Sequence, residues 1–255
     1  YLGDETLNMV SSITTQQIGR PTATEATISE RSVAKALIAI TLFLVSAHIA
    51  ALILKYGLGR EHAFGFVGTF HMDGEMNVPS FMSSLLLFST AMMAFFTAAV
   101  TPGDRRSKLP WLTVGLVFVL LSFDENIRIH ERITNSMRAI LPEGFMPYTG
   151  FEIPYLIVMG IIGLFMIRWY LNLHRSSQLL FALSGFIFVC GAVGLEQVAS
   201  VYYDANGLAR AGEATLVGDV FVLIEETCEI AGVSLFLYAM VRRLGGIKLA
   251  SADTI

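Results

Sequence analysis

The feature that most limits what this chain can fold into is a succession of six apolar runs, each close to the length that crosses a membrane. They are Val33–Tyr56, Pro79–Val100, Leu109 to about Ile129, Ile153–Tyr170, Gln178–Tyr202 and Val220–Val241. An α-helix needs about 20 apolar residues to span the hydrocarbon core, and within lipid it satisfies its own backbone polar groups. The runs are unbroken and lack the alternation of an outer-membrane barrel. Of the 255 residues, 54% are hydrophobic and 15% charged, with a mean hydropathy of +0.63; soluble domains carry about 25% charged residues. The expected fold is all-α: a polytopic membrane helix bundle of about six transmembrane helices in one domain, with the lipid bilayer as its first partner.

Around that domain, residues 1–31 read as a polar N-terminal tail rich in Thr and Ser, ordered only against a partner. Residues 32–243 form the six-helix transmembrane domain, and 244–255 a short cytoplasmic tail. The first residue is Tyr1 and not Met, so the native start is expected upstream, and no signal-peptide pattern precedes the first run. Lys and Arg in short loops set orientation. Arg105, Arg106 and Lys108 lie in one loop, Arg168 and Arg175 in another, and Arg242, Arg243 and Lys248 at the C-terminus. The alternate loops are acidic or balanced, so both termini are placed in the cytoplasm. Aromatics fit the same frame, with Trp111, Trp169 and Tyr170 on the inner side and Tyr56, Tyr155, Tyr202 and Tyr203 on the outer. The net charge of −4 is scattered, and the lack of a basic patch argues against nucleic acid. Cys190 and Cys228 sit in apolar runs and read as small buried hydrophobes.

The third run is unusual, because its clean apolar stretch from Trp111 to Phe123 is too short to span. Completing the crossing brings Asp124, Glu125 and Arg128 to membrane depth or its edge, which is costly unless they pair or face a wet cavity. At about 1.5 Å of rise per residue, His48 lies roughly 12 Å below the outer end, Asp124 and Glu225 about 8 Å, Glu196 about 9 Å and Glu229 about 14 Å. Ionisable groups from four helices thus share one slab, and nothing comparable sits in the inner half. Asn77 before Pro79 makes a well-formed start for the second helix. Glu225 and Glu229, four apart, share a face. On a straight helix Asp124, Arg128 and Glu131 also share one, while His130 points away from Asp124. The Glu-x-x-His spacing of soluble di-iron bundles is absent, so any metal would draw ligands from several helices.

Three stretches carry a resemblance: Phe70-His-Met-Asp-Gly-Glu-Met-Asn-Val-Pro, Ser122-Phe-Asp-Glu-Asn-Ile-Arg-Ile-His-Glu-Arg and Glu225-Glu-Thr-Cys-Glu-Ile-Ala-Gly. Occurring in this order over about residues 35–243, they resemble a family of uncharacterised bacterial multi-pass membrane proteins with an Asp-Glu…His-Glu motif and a late Glu-Glu-x-x-Glu helix. The resemblance implies a multi-pass protein of the bacterial inner (cytoplasmic) membrane and adds no activity. The matching positions are Asp73, Glu75, Asn77, Pro79, Asp124, Glu125, His130, Glu131, Glu225, Glu226 and Glu229.

Three functional classes fit these residues. The leading one is a periplasm-facing polar site, metal-binding and with scope for catalysis on a lipid or small molecule. In it Asp124, Glu196, Glu225 and Glu229 are carboxylate ligands and His130 and His71 nitrogen ligands, while Glu125 or Glu131 is a general base. The acid excess favours it, since unpaired carboxylates must be protonated or hold a cation, and a divalent metal ion would balance the charge. The second is a non-catalytic subunit of a larger, energy-transducing membrane complex. There other membrane subunits are partners, and Arg128 and Arg132 neutralise Glu225, Glu226 or Glu196 in an ion-pair network. The third is a cation- or proton-coupled transporter, disfavoured by the absence of inner-half polar residues and of a visible repeat.

Overall fold

The computed structural model describes residues 25–140, 152–208 and 215–250. In chain order, β1 (Glu25–Ile28) precedes α1 (Glu30–Leu52), which continues as a π-helical turn at Ile53–Gly57. A 3-10 turn at Ala63–Gly65 leads to the short α2 (Phe66–Phe70), then to α3 (Val78–Val100) and α4 (Arg105–Ile127). Next come α5 (Ile129–Ile140), α6 (Glu152–Leu171) and α7 (Arg175–Val189). A second π-helical turn, Cys190–Leu195, joins α7 to α8 (Glu196–Ala205), and α9 (Leu216–Arg243) is followed by β2 (Ile247–Ala250). The chain divides into two compact units at Ile28/Ser29 and Gly246/Ile247. The smaller contains an antiparallel ribbon in which Glu25 faces Ala250 and Ile28 faces Ile247, so parts of both expected tails pair. The larger, Ser29–Gly246, is helical.

Among the described residues, five helical stretches are long and apolar enough to cross a membrane: Glu30–Gly57, Val78–Val100, Arg105–Ile127, Ile153–Leu171 and Arg175–Tyr203. They correspond to the first five expected segments and are compatible with an integral membrane protein in a lipid bilayer. The sixth expected segment is helical too, as α9, but its three glutamates remove it from that set. It is packed where such a helix is least costly, against α1, α3, α7 and the second π turn. Carboxylates turned to lipid are expensive, and those turned to neighbouring helices less so. By contrast, Ile153–Leu171 of α6 includes no fully buried residue and presents Ile157, Ile161, Leu164 and Phe165 outward.

The helix starts follow from the sequence. Asn77 caps α3 by accepting from the Ser80 N–H, and the Ser80 hydroxyl accepts in return from the Asn77 N–H, each at 3.1 Å. Asp104 caps α4 and Thr215 caps α9. Such caps satisfy donors that have no partner within the helix. The α3–α4 pair is tied by Ser84 and Ser122, each hydroxyl donating to the other's carbonyl at 3.0 and 2.9 Å. Small residues bring α7 and α9 together, because a Cβ on Gly232 would stand 2.8 Å from the Phe188 nitrogen. Close backbone approach through small residues is the usual packing device of membrane helices. One apolar core, around Trp111, Phe181 and Met240, lies at the end opposite the polar residues. A second, of Leu44, Met72 and Ile230, lies beneath them.

Candidate functional site

At one end of the helical unit α1 and α4 finish while α3 and α9 begin. Most of the acidic residues of the helices gather there, together with His48, Lys55 and His130. Three groupings can be distinguished.

The first is a cluster of carboxylates. Glu226 is within electrostatic range of Glu229, Glu125, Glu225 and Asp73, and Glu229 of Glu225, Glu125, Glu196 and Cys228. Thus α4, α8, α9 and the loop before α3 converge, and the helical members are only half-buried. Close packing sets this geometry. A Cβ on Gly191, in the second π turn, would meet the Glu225 carbonyl at 2.9 Å and Glu229 Cγ at 3.2 Å. Among the described residues no Lys or Arg pairs with Glu125, Glu226 or Glu229. Arg128, which the ion-pair reading assigned to this cluster, pairs with Glu75.

The second grouping joins Asp124 and His130. A straight helix would hold them apart, but the structure has a break instead. Arg128 ends α4 with φ 55°, and α5 restarts at Ile129. The turn carries His130 back, so that its N–H donates to Asp124 Oδ1 at 2.9 Å and its Nδ1 lies 3.2 Å from Oδ2. Tyr155 of α6 also hydrogen bonds to Asp124. Asp124 therefore caps α5 from the preceding helix. The Glu131 side chain lies outside the described residues.

The third grouping was not expected as a unit. Asp219, in the first turn of α9, receives the Lys55 ammonium at 2.7 Å and the Tyr56 hydroxyl at 2.8 Å on Oδ2, with His71 Nε2 at 3.2 Å from Oδ1. The His71 ring meets His48 edge-on with centroids 4.9 Å apart. His48 is fully buried and its Nδ1 accepts from the Met72 N–H at 3.0 Å. Its Nε2 makes no well-formed hydrogen bond among the described residues; its electrostatic neighbours include Phe70 and Asp219. The first π turn places Lys55 and Tyr56 together on Asp219. The signal in the sequence is slight: a lysine at the end of the first run and an aspartate just ahead of the sixth.

With this geometry in place, comparison with known proteins gives one match. A family model described as a domain of unknown function, DUF8692, matches residues 36–244. The chain belongs to the DUF8692 family. The match takes in the helical bundle apart from the first turns of α1, and its limits lie close to those of the resemblance read from the three motifs. No curated protein and no solved structure matches the chain.

The candidate ligands of this DUF8692 chain are therefore distributed over separate groupings. Glu225, Glu229 and Glu196 stand together with Glu125, whereas Asp124 and His130 pair with each other and His71 lies against Asp219. Among the described residues no group of three His, Cys, Asp or Glu is already arranged around a metal-sized space. The two histidines face carboxylates of their own, so Glu125, Glu226 and Glu229 offer oxygen, with the Cys228 thiol beside Glu229. Carboxylates this close cannot all be ionised without a proton or a cation among them.

Proposed function

We propose that this is a six-crossing membrane protein whose carboxylate cluster binds a hard divalent cation, with Glu125, Glu226 and Glu229 as the central ligands and Glu196 and Glu225 beside them. The observation that carries this reading is the absence, among the described residues, of any Lys or Arg paired with those three carboxylates. Carboxylate oxygens suit Ca2+, Mg2+ or Mn2+ better than the softer transition metals. Glu125, assigned from sequence as a general base, acts here as a ligand.

Metal content and uptake of Ca2+ or Mn2+ by the purified protein test the reading. The parent should take up one ion, and the Glu226→Gln/Glu229→Gln variant, which keeps shape and hydrogen-bonding atoms, should fold and bind at least tenfold more weakly. A parent that takes up no divalent ion at millimolar concentration would leave the carboxylates simply protonated and end the proposal.

Six crossings are supported by the direction of the helices. Lys55, at the end of α1, pairs with Asp219 at the start of α9, and Leu44 packs on Ile230 the same number of residues further along. The two helices are therefore antiparallel, which puts Glu30 and Arg243 at one end and calls for an even number of crossings between them. Pairing of β1 with β2 agrees with this parity. Reporter fusions at Gly103 and Arg175 should read cytoplasmic and one at Gly207 periplasmic. A periplasmic signal at Gly103 would reverse the orientation.

A further inference from the structure

An open groove of about 680 Å3 lies outside the carboxylate cluster. It is lined by Gly68 of α2, by Glu75 and Asn77 of the loop, by Ser80 and Phe81 in the first turns of α3, and by Asn126 of α4. Its chemistry changes at the point where α3 begins. Glu75, Asn77 and Asn126 are polar and level with the loop, whereas Phe81 is one turn into an apolar span and exposed. An occupant matching both ends is amphipathic.

Three further observations sharpen this. The ion pair at the rim, Arg128 with Glu75, is itself exposed, at 45% and 36%, so it offers one cation and one anion side by side. Phe64 and Met76 stand beside the groove almost wholly exposed, at 105% and 97%, and large apolar side chains at this level have lipid as their natural surroundings. Both adopt left-handed backbone, with φ 56° and 51°, which is unfavourable for a side chain with a Cβ. Among the described residues the non-glycine positions with positive φ are Ala63, Phe64, Met76 and Arg128. Each is in the lining or within two residues of it. Strained backbone concentrated in this way is characteristic of ligand-binding surfaces.

We propose that the groove binds the headgroup of a membrane phospholipid bearing both a phosphate and a primary amine. Arg128 receives the phosphate, as guanidinium groups do through paired N–H donors, and Glu75 receives the ammonium. The acyl chains then run beside Phe81 along α3. A headgroup with phosphate but no amine meets the Glu75 carboxylate without compensation. A quaternary ammonium supplies charge but no N–H to donate.

Binding of short-chain phosphatidylethanolamine, phosphatidylcholine and phosphatidylglycerol to the full chain in mild detergent, followed by native mass spectrometry, tests this. The ethanolamine lipid should bind at least tenfold more tightly than the glycerol lipid, with the choline lipid between them. Gly68→Leu fills the groove, and a Cβ there meets no atom within 4 Å. This variant should melt with the parent when lipid-free and lose binding at least tenfold. Glu75→Gln should bind the ethanolamine and choline lipids equally. The Glu226→Gln/Glu229→Gln variant should bind lipid like the parent, which separates this site from the cation cluster. Equal binding of all three lipids by the parent, parental affinity in the Gly68→Leu variant, or an unchanged preference in the Glu75→Gln variant would overturn the proposal.

Discussion

Replacing Asp219 with Ala is expected to destabilise the helical unit by about 3–5 kcal/mol, the usual cost of leaving a buried partner charge uncompensated. Two groups lose their acceptor at once, the Lys55 ammonium and the Tyr56 hydroxyl, and His71 loses the carboxylate beside its ring. Lys55 keeps its contacts with Tyr56, whose ring centroid is 4.8 Å away. The loss reaches further than one pair, because Asp219 links the end of α1, the loop before α3 and the start of α9. Thermal unfolding in detergent measures it. A Lys55→Met/Asp219→Asn double variant removes both charges and keeps an acceptor for Tyr56, so it should recover most of the loss. If the Asp219→Ala protein melts with the parent, water already solvates these groups and the latch is not structural.

A second large effect is expected from Gly232→Val. The added carbon would lie 2.8 Å from Phe188 N, 2.9 Å from its Cβ and 3.0 Å from its Cα. Backbone atoms of α7 cannot rotate aside, so α7 and α9 must separate. Overpacking costs about 1–3 kcal/mol where side chains can adjust, and a rigid backbone places this case at or above the upper end. Since Glu229 and Glu225 lie one and two turns earlier on α9, cation affinity should fall along with stability. Gly185→Val is the control, because a Cβ there meets nothing within 4 Å. Melting temperatures of the two variants, read against the parent, decide the point; equal losses would mean that the helix contact is not what matters.

The sequence reading and the structure agree where periodicity and length decide and diverge where backbone dihedrals do. The apolar runs located the long helices, because lipid leaves the chain few alternatives, and Asn77 marked the start of α3. The gathering of Glu125, Glu196, Glu225, Glu226 and Glu229 was legible from depth along each helix and from the four-residue spacing on α9. The relation of Asp124 to His130 was not, since it depends on Arg128 adopting a left-handed conformation that its side chain does not announce. The partners of Arg128 and His71 were missed for a related reason. Both meet residues of loops or helix ends, Glu75 and Asp219, and extrapolating straight helices does not reach such positions. The pairing of β1 with β2 joins segments that carry no strand signal of their own.

The π-helical turn at Cys190–Leu195 has a consequence for how the α7–α8 rod can change. A π turn is an α-helix with one residue too many, held as a local widening. It therefore acts as a phase keeper: everything beyond it holds the face it would have in an α-helix one residue shorter. Deleting Gly194, whose Cβ would find only the Val189 carbonyl at 4.0 Å, would let the rod close into an unbroken α-helix. The span would keep its length and apolar character almost unchanged, and Glu196 and Gln197 would keep nearly the same face, because the widened turn already absorbs the extra residue. Straightening the turn with every residue retained would instead swing Glu196 about 100° round the rod, and would retune the charge of the site without touching an acidic residue.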